Sequence, residues 1–257
     1  MDYKEFAIHT ARLAGEIIKS HFTLNMKKDW KADHTPLTEA DLKINQLVID
    51  SIKARFPTHS VLAEEGDNIQ KSDFVWVCDP IDGTIPFSHG IPTCVFSLAL
   101  VHKGKSIVGV IYDPFMDRMY TAEHGKGAFL NDKPIHVSDT TSLENTVANV
   151  ITFHKSHYDL TEVYRAIENA GAKLIDLKSV TYMDTLVASG EMSITTFAQT
   201  KPHDTAAAKV IVEEAGGKVT DLFGAEVRMD KENKGYLVTN GHLHEHVLQI
   251  IREHVHE

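Results

Sequence analysis

The sequence is poor in cysteine, in cationic side chains and in long apolar runs, and each shortage narrows its reading. Two cysteines, Cys78 and Cys94, occur in 257 residues, with no Cys-x-x-Cys spacing. A disulfide scaffold is excluded. Both lie in apolar runs, so they read as buried reduced thiols of a cytoplasmic protein. Lysine and arginine total 26 against 36 acids, a formal net charge of −10. That balance argues against a nucleic-acid surface. It still allows a small anionic substrate, because bound metal ions reverse the sign locally. The longest apolar runs, such as Val95 to Val101, are far too short to span a bilayer. The start, Met1-Asp2-Tyr3-Lys4-Glu5, lacks the apolar core of a signal peptide. No long linker, internal repeat or low-complexity tract interrupts the chain. What remains is ordinary globular material, 42% hydrophobic, with enough apolar residues for a sizeable core.

Periodicity divides the chain into two halves. Phe6, Leu13, Ala14, Ile17, Ile18 and Phe22 give residues 3–22 helical spacing. Residues 23–36 form a polar stretch with Lys27, Lys28 and Lys31, which reads either as a connector or as a flap near an anionic site. Thr38-x-x-Asp41 opens a second helix that ends before Pro57, and capping alone could account for Asp41. Val61-Leu62-Ala63 reads as a short strand, and Phe74 to Cys78 as a strand broken at Asp79-Pro80. From Cys94 to Val137, short strands separated by tight turns predict an antiparallel sheet covered by the two helices. Its last strand is expected at Ile135-His136-Val137. Beyond it, strands at 146–152, 173–177, 192–197 and 236–239 alternate with helices at 160–169, 183–189, 204–215 and 242–255. This is an α/β pattern. The expected organisation is one unit, with an α+β subdomain over about 1–138 and an α/β subdomain over about 139–257. Acidic turns from both would meet at the seam.

Those turns carry the chemistry. Asp79 and Asp82 stand three apart around Pro80-Ile81 and are followed by Gly83-Thr84; Glu64-Glu65-Gly66 lies upstream and Asp204 far downstream. Several acids converging on one point repel one another unless cations sit between them. Such oxygen-rich clusters suit Mg²⁺ or Mn²⁺. A sharp turn would aim the Ile81 carbonyl inward as a further hard ligand. Gly83 would let the backbone approach an anion, and free amides at a helix start would bind phosphate. The residues therefore point to a multi-metal site that handles phosphate.

Trp76-x-x-Asp79-Pro80-Ile81-Asp82-Gly83-Thr84 resembles the first signature of the inositol monophosphatase family. Leu62-Ala63-Glu64-Glu65-Gly66 is similar to its upstream acidic element. Asp204-Thr205-Ala206-Ala207, with Glu213-Glu214-Ala215-Gly216-Gly217, resembles its second signature, and Gly125 to Asn131 a family hairpin. The resemblance spans nearly the whole chain. It implies a layered α-β-α-β-α sandwich and Mg²⁺-dependent, lithium-sensitive phosphomonoester hydrolysis, commonly by a homodimer. It places Glu64, Asp79 and the Ile81 carbonyl on one metal, and Asp79, Asp82 and Asp204 on a second. Asp41 and Thr84 would position the attacking water, Glu64 or Glu65 would help bind a third ion, and the Gly83 and Thr84 amides would hold phosphate. No membrane or nucleic-acid partner is implied, only a small phosphorylated metabolite.

Three departures bear on the substrate. His203 precedes Asp204 where the family usually has tryptophan. Ile85-Pro86 replaces a polar pair after Asp82-Gly83-Thr84. Phe197, seven residues before Asp204, stands where inositol-specific members commonly place a glutamate. Thr181-Tyr182-Met183 is bulkier than the segment expected at the substrate rim, so Thr181, Tyr182 and Phe197 are the expected substrate contacts. A sugar phosphate, histidinol phosphate or 3′-phosphoadenosine 5′-phosphate is favoured over inositol phosphate; Lys178 and Lys201 read as solvated lysines, with a second phosphate as the alternative role. The competing readings are a haloacid-dehalogenase-type phosphatase, which needs Asp-x-Asp rather than Asp-x-x-Asp, and a metal-binding regulatory protein without catalysis. The histidines of the last helix (His242, His244, His246, His254, His256) complete no zinc set and read as a solvated surface.

Overall fold

The first helix, α1 (Tyr3–His21), starts where the Asp2 carboxylate accepts a hydrogen bond from the Glu5 amide at 2.8 Å. It belongs to a computed structural model that describes residues 2–31, 35–151, 156–198 and 201–256. A two-stranded hairpin of β1 (Asp29–Trp30) and β2 (Pro36–Leu37) occupies the polar stretch that was expected to be loop throughout. It leads into α2 (Glu39–Arg55), where the Thr38 amide donates to Asp41 Oδ2 at 2.8 Å as the capping pattern required. Then follow β3 (Ser60–Ala63), β4 (Phe74–Asp82), the five-residue α3 (Thr84–Ser88), β5 (Val95–His102), β6 (Lys105–Asp113), β7 (Arg118–Glu123), β8 (Ala128–Leu130) and β9 (Lys133–Pro134). Strands β3 to β9 form one sheet in sequence order, antiparallel except that β3 runs parallel to β4.

The second half contributes β10 (Val147–Ile151), α4 (Thr161–Asn169), β11 (Lys173–Leu174), α5 (Val180–Ala188), β12 (Ile194–Phe197), α6 (Ala206–Glu214), β13 (Lys218–Thr220), β14 (Tyr236–Thr239) and α7 (His244–His254). Its sheet has the order β11-β10-β12-β14-β13, with β10 parallel to both neighbours and β14 antiparallel to both of its own.

Three apolar clusters stack these elements into the α-β-α-β-α sandwich. Phe6, Ala11, Ile44 and Ile52 of α1 and α2 bury against Trp76, Leu98 and Val110 on one face of the first sheet. Ala99 and Ile111 on its other face meet Met183, Val210 and Ile211 of α5 and α6, which also pack on Phe197, Tyr236 and Val238 of the second sheet. Val163, Ile167, Val247 and Ile251 of α4 and α7 cover the outer face of that sheet. The two halves thus share the middle layer. Helix α6 comes close because Gly109 lacks a side chain: a Cβ there would lie 2.6 Å from the Ala207 carbonyl oxygen. No described helix is long and apolar enough to cross a membrane.

Several expectations needed correction. Strand β4 does not break at Asp79-Pro80. It continues to Asp82 through a bulge, where proline's missing N–H costs no ladder bond. Ile135 to Val137 is not a strand, because the Val137 amide leaves the sheet edge to donate to the Ala215 carbonyl at 3.1 Å, beyond the end of α6. Helix α5 begins at Val180 rather than Met183, and Pro202–Asp204 is a 3₁₀ turn before α6. The sequence reading missed β13, and Thr152 of the expected strand lies outside the described residues. Helix α7 is not solvated all round: His244, Val247, Leu248 and Ile251 are buried, and His244 bonds the Thr220 and Thr239 hydroxyls at 3.1 and 2.9 Å. Cys78 and Cys94 are buried and unpaired, as their context required.

Candidate active site

The bulge in β4 builds the site. Asp79 pairs with Ser97 and Asp82 with Val95, so Pro80-Ile81 loops out between them. The Ile81 amide donates to Asp79 Oδ1 at 3.0 Å, and the Thr84 hydroxyl donates to the Ile81 carbonyl at 3.0 Å. Gly83 follows with φ +93°; a Cβ there would lie 2.8 Å from the Thr93 carbonyl oxygen, so only glycine fits. Helix α3 begins next, and its first amides have no intrahelical acceptor.

Glu64 arrives from the end of β3, and His203 and Asp204 from the turn before α6. Two overlapping groups result, each with ligand atoms within 4.8 Å of one another: Asp79, Asp82 and Asp204, and Glu64, Asp79 and His203. Asp82 Oδ2 accepts from the Ser179 hydroxyl at 2.6 Å, from the Thr181 amide at 2.8 Å and from the Tyr182 amide at 3.4 Å. Lys31, from the flap, donates to Glu64 Oε1 at 2.8 Å and to Glu65 Oε1.

The electrostatics are those of crowded acids with little counter-charge, Lys31 pairing with Glu64 and Glu65 and Lys201 acting on Asp204 and Glu65. Burial, then the neighbouring charges of Glu64 and Asp82, pushes Asp79 well above the ordinary carboxylate range. Burial, then Asp82 and Glu64, does the same to Asp204. Burial lifts Asp82 to about 6 against the hydrogen bonds from Ser179, Thr181 and Tyr182. Asp41 also rises to about 6, through burial and against its Thr38 bonds. Its Oδ1 is buried with no hydrogen-bond partner, an acceptor left over once the helix cap is satisfied. Burial raises Glu65 against its Lys31 bond, and lowers His203 to about 4, leaving a neutral imidazole at pH 7. Clustered oxygen donors, mutual repulsion and an orphaned acceptor fit a site for hard divalent cations.

The acids open into a cavity of about 130 Å³ lined by Glu64, Asp79, Ile81, Asp82 and Asp204, and also by Gly83, Thr84 and Phe197. Asp41 and Glu65 stand behind this wall, with Asp41 fully buried. Thr181 and Tyr182 do not form a rim, contrary to expectation. Both are buried, their amides hold Asp82, and the Tyr182 hydroxyl donates to Asp113 at 2.7 Å. Sequence reasoning missed Ser179, which no motif marks, and took His203 for a mere substitution. The polar flap's lysines were the only signal for Lys31.

Comparison with known proteins places this geometry. Residues 2–256 match the model of the inositol monophosphatase family. The chain is 33% identical to a fructose-1,6-bisphosphatase/inositol-1-monophosphatase of Thermotoga maritima, over all of this chain and 98% of that one. It is 33% identical to a histidinol-phosphatase of Chlorobaculum parvum, over 89% of each. The structure of a Thermotoga maritima IMPase, 32% identical, superposes with a TM-score of 0.90 over 98% of both chains. A family match over almost the full length, with relatives that hydrolyse phosphate monoesters, identifies the chain as a phosphoric monoester hydrolase belonging to the inositol monophosphatase family.

Proposed function

We propose that this phosphatase cleaves a small phosphorylated metabolite with Mg²⁺ as its resident cation, two or three ions per site, Mn²⁺ being an alternative and lithium an inhibitor. The observation that carries the reading is the pair of triads that share Asp79. Glu64, Asp79 and the Ile81 carbonyl would hold one ion, Asp79, Asp82 and Asp204 the second, and Glu65 with Glu64 a third. Bound cations of this kind supply positive charge that activates water and takes up charge on the leaving oxygen.

The chain's own groups do the rest. The Thr84 hydroxyl spends its proton on the Ile81 carbonyl, so its oxygen is left to accept a hydrogen bond from water. Asp41, whose Oδ1 is unpaired on a fully buried carboxyl that titrates near 6, would help Thr84 to position the attacking water. The Gly83 and Thr84 amides face the phosphate oxygens. No covalent intermediate on the protein is required.

The walls speak for an ester other than inositol phosphate. Phe197 borders the cavity but is buried, 1% exposed with its ring against Tyr236, and brings no acceptor for a polyol hydroxyl. Ile85 and Lys178 line the catalytic cavity and also an adjoining cleft of about 250 Å³, with apolar contributions from Pro86, Ile91 and Leu177. A leaving group that makes an aromatic or apolar contact, or a larger ester, suits that surface: a sugar phosphate, histidinol phosphate or 3′-phosphoadenosine 5′-phosphate. Phosphate release over a panel of these esters with Mg²⁺ tests the reading. Asp82→Asn is expected to lower kcat by at least about a thousandfold while the fold survives. Inositol 1-phosphate outperforming every other ester by a wide margin would overturn the substrate assignment.

A further inference from the structure

We infer that His203 is itself a metal ligand, giving the Glu64–Asp79 end of the site a nitrogen donor and a preference for Mn²⁺ over Mg²⁺ there. This rests on the two-cation reading above.

His203 sits in the Pro202–Asp204 turn, one residue before an expected ligand, yet its ring reaches the other triad. A ring nitrogen and the carboxylate oxygens of Glu64 and Asp79 all lie within 4.8 Å of one another. Three ligand atoms at that mutual spacing can share one ion, since metal–nitrogen and metal–oxygen bonds of about 2.0–2.2 Å separate ligands by less than this. Its Nε2 is 3.8 Å from Asp204 Oδ1, beyond hydrogen-bonding range. The imidazole therefore stands beside Glu64, Asp79 and Asp204, with Lys31 and Lys201 also acting on it, and without a hydrogen bond to Asp204. Its side chain is only 12% exposed and helps to wall the cavity. A buried imidazole in such a place, if it served only to neutralise charge, should close on a carboxylate. Set at ligand spacing from two of them, it is placed to coordinate.

The two ends of the site then differ in kind. Asp79, Asp82 and Asp204 offer oxygen alone, which suits Mg²⁺. Glu64, Asp79 and His203 offer two oxygens and an imidazole nitrogen, a donor set that first-row transition ions accept more readily than Mg²⁺ does. At equal free concentrations of the two ions, the mixed end would take Mn²⁺ in preference to Mg²⁺.

The test uses the full chain stripped of metal and reloaded with Mn²⁺. Pulsed electron paramagnetic resonance of the bound ion is expected to show coupling to an imidazole ¹⁴N, which disappears in His203→Phe. Equilibrium titration is expected to show Mn²⁺ affinity falling about tenfold or more in His203→Phe and His203→Gln, against a change of about threefold or less for Mg²⁺. Thermal unfolding of both variants confirms that they fold. Bound Mn²⁺ without ¹⁴N coupling, or equal losses for the two ions, overturns the inference and leaves the two-cation reading intact. Failure of any divalent ion to bind at millimolar concentration overturns both.

Discussion

The crowded acids, taken by themselves, should cost the metal-free protein stability as pH rises. Asp41 and Asp82 each titrate in the folded chain at about 6 against an ordinary 3.8. A raised folded pKa means that the fold binds the proton more tightly than the unfolded chain does. The associated stability is complete below about pH 4 and is lost as pH climbs through about 6. Each such shift amounts to about 3 kcal/mol, so the pair alone removes roughly 5 to 6 kcal/mol by neutral pH. Asp79 and Asp204 shift in the same direction. His203 and His244, each lowered by burial to about 4 from 6.5, act in the opposite direction and together restore roughly 7 kcal/mol over the same range, so the contribution of the acids is read from the difference between the parent and a variant lacking one of them. A divalent cation replaces the lost protons, and at a hundred times its Kd adds about 2.7 kcal/mol. Scanning calorimetry of chelated and Mg²⁺-loaded protein at half-unit pH intervals measures both effects. Asp82→Asn removes one of the charges, so the metal-free variant should melt above the parent at pH 7 and show a shallower pH slope. A metal-free Asp82→Asn whose Tm tracks that of the parent from pH 4 to 7, or a cation that stabilises equally at pH 5 and pH 7.5, would refute the reasoning.

Three further outcomes follow from other parts of the structure. Lys31→Ala removes an ammonium that occupies oxygens of Glu64 and Glu65, so calorimetric titration should show divalent ions binding a few-fold more tightly; weaker binding would mean that Lys31 organises those acids rather than competing for them. Ile91→Asp puts a charge on the half-exposed apolar wall of the cleft beside the site; kcat/KM should fall about tenfold for esters with an apolar leaving group and stay constant for glycerol phosphate, and a uniform change across the panel would show the cleft to be irrelevant to substrate. Gly109→Ala drives a methyl to 2.6 Å from the Ala207 carbonyl oxygen, so urea unfolding should register a loss of about 1–3 kcal/mol; no loss would mean that α6 shifts freely.

Local features of this fold were legible and distant ones were not. Asp79-x-x-Asp82-Gly83-Thr84 could be read because the turn makes its own geometry: the bonds from the Ile81 amide and the Thr84 hydroxyl stay within the motif. The capping role of Asp41 was legible for the same reason, and the structure shows that it does not exclude a second role, since one oxygen caps and the other is free of protein partners. Ser179 was invisible because its partner, Asp82, is 97 residues away and no spacing records the contact. Tyr182 misled because a bulky polar ring near a site suggests a substrate contact, whereas its hydroxyl is committed to buried Asp113. Ile135 and Val137 alternate like a strand, yet Val137 turns to the end of α6, where it lies close to Gly216 and Gly217. Apolar alternation reports burial on one side and is silent about which neighbour provides it.

The same division explains how mutually repelling acids can be held together at all. No single element carries the charge. Asp79 and Asp82 come from a strand whose Trp76, Cys78 and Ile81 are buried under α1 and α2. Asp204 precedes a helix, α6, clamped between the two sheets, and Glu64 ends a strand paired to β4. Each acid is therefore fixed by a core it does not belong to, and the repulsion is met by burial several residues away. The fold does not relieve the strain locally. The Ser179 hydroxyl and the α5 amides satisfy one oxygen of Asp82, and Lys31 reaches only Glu64 and Glu65. The central carboxylate, Asp79, accepts from the Ile81 amide and faces charge on both sides. The residue shared by both triads thus receives one backbone hydrogen bond and no side-chain cation among the described residues, as expected where the missing positive charge is to be supplied by cations shared between the two triads.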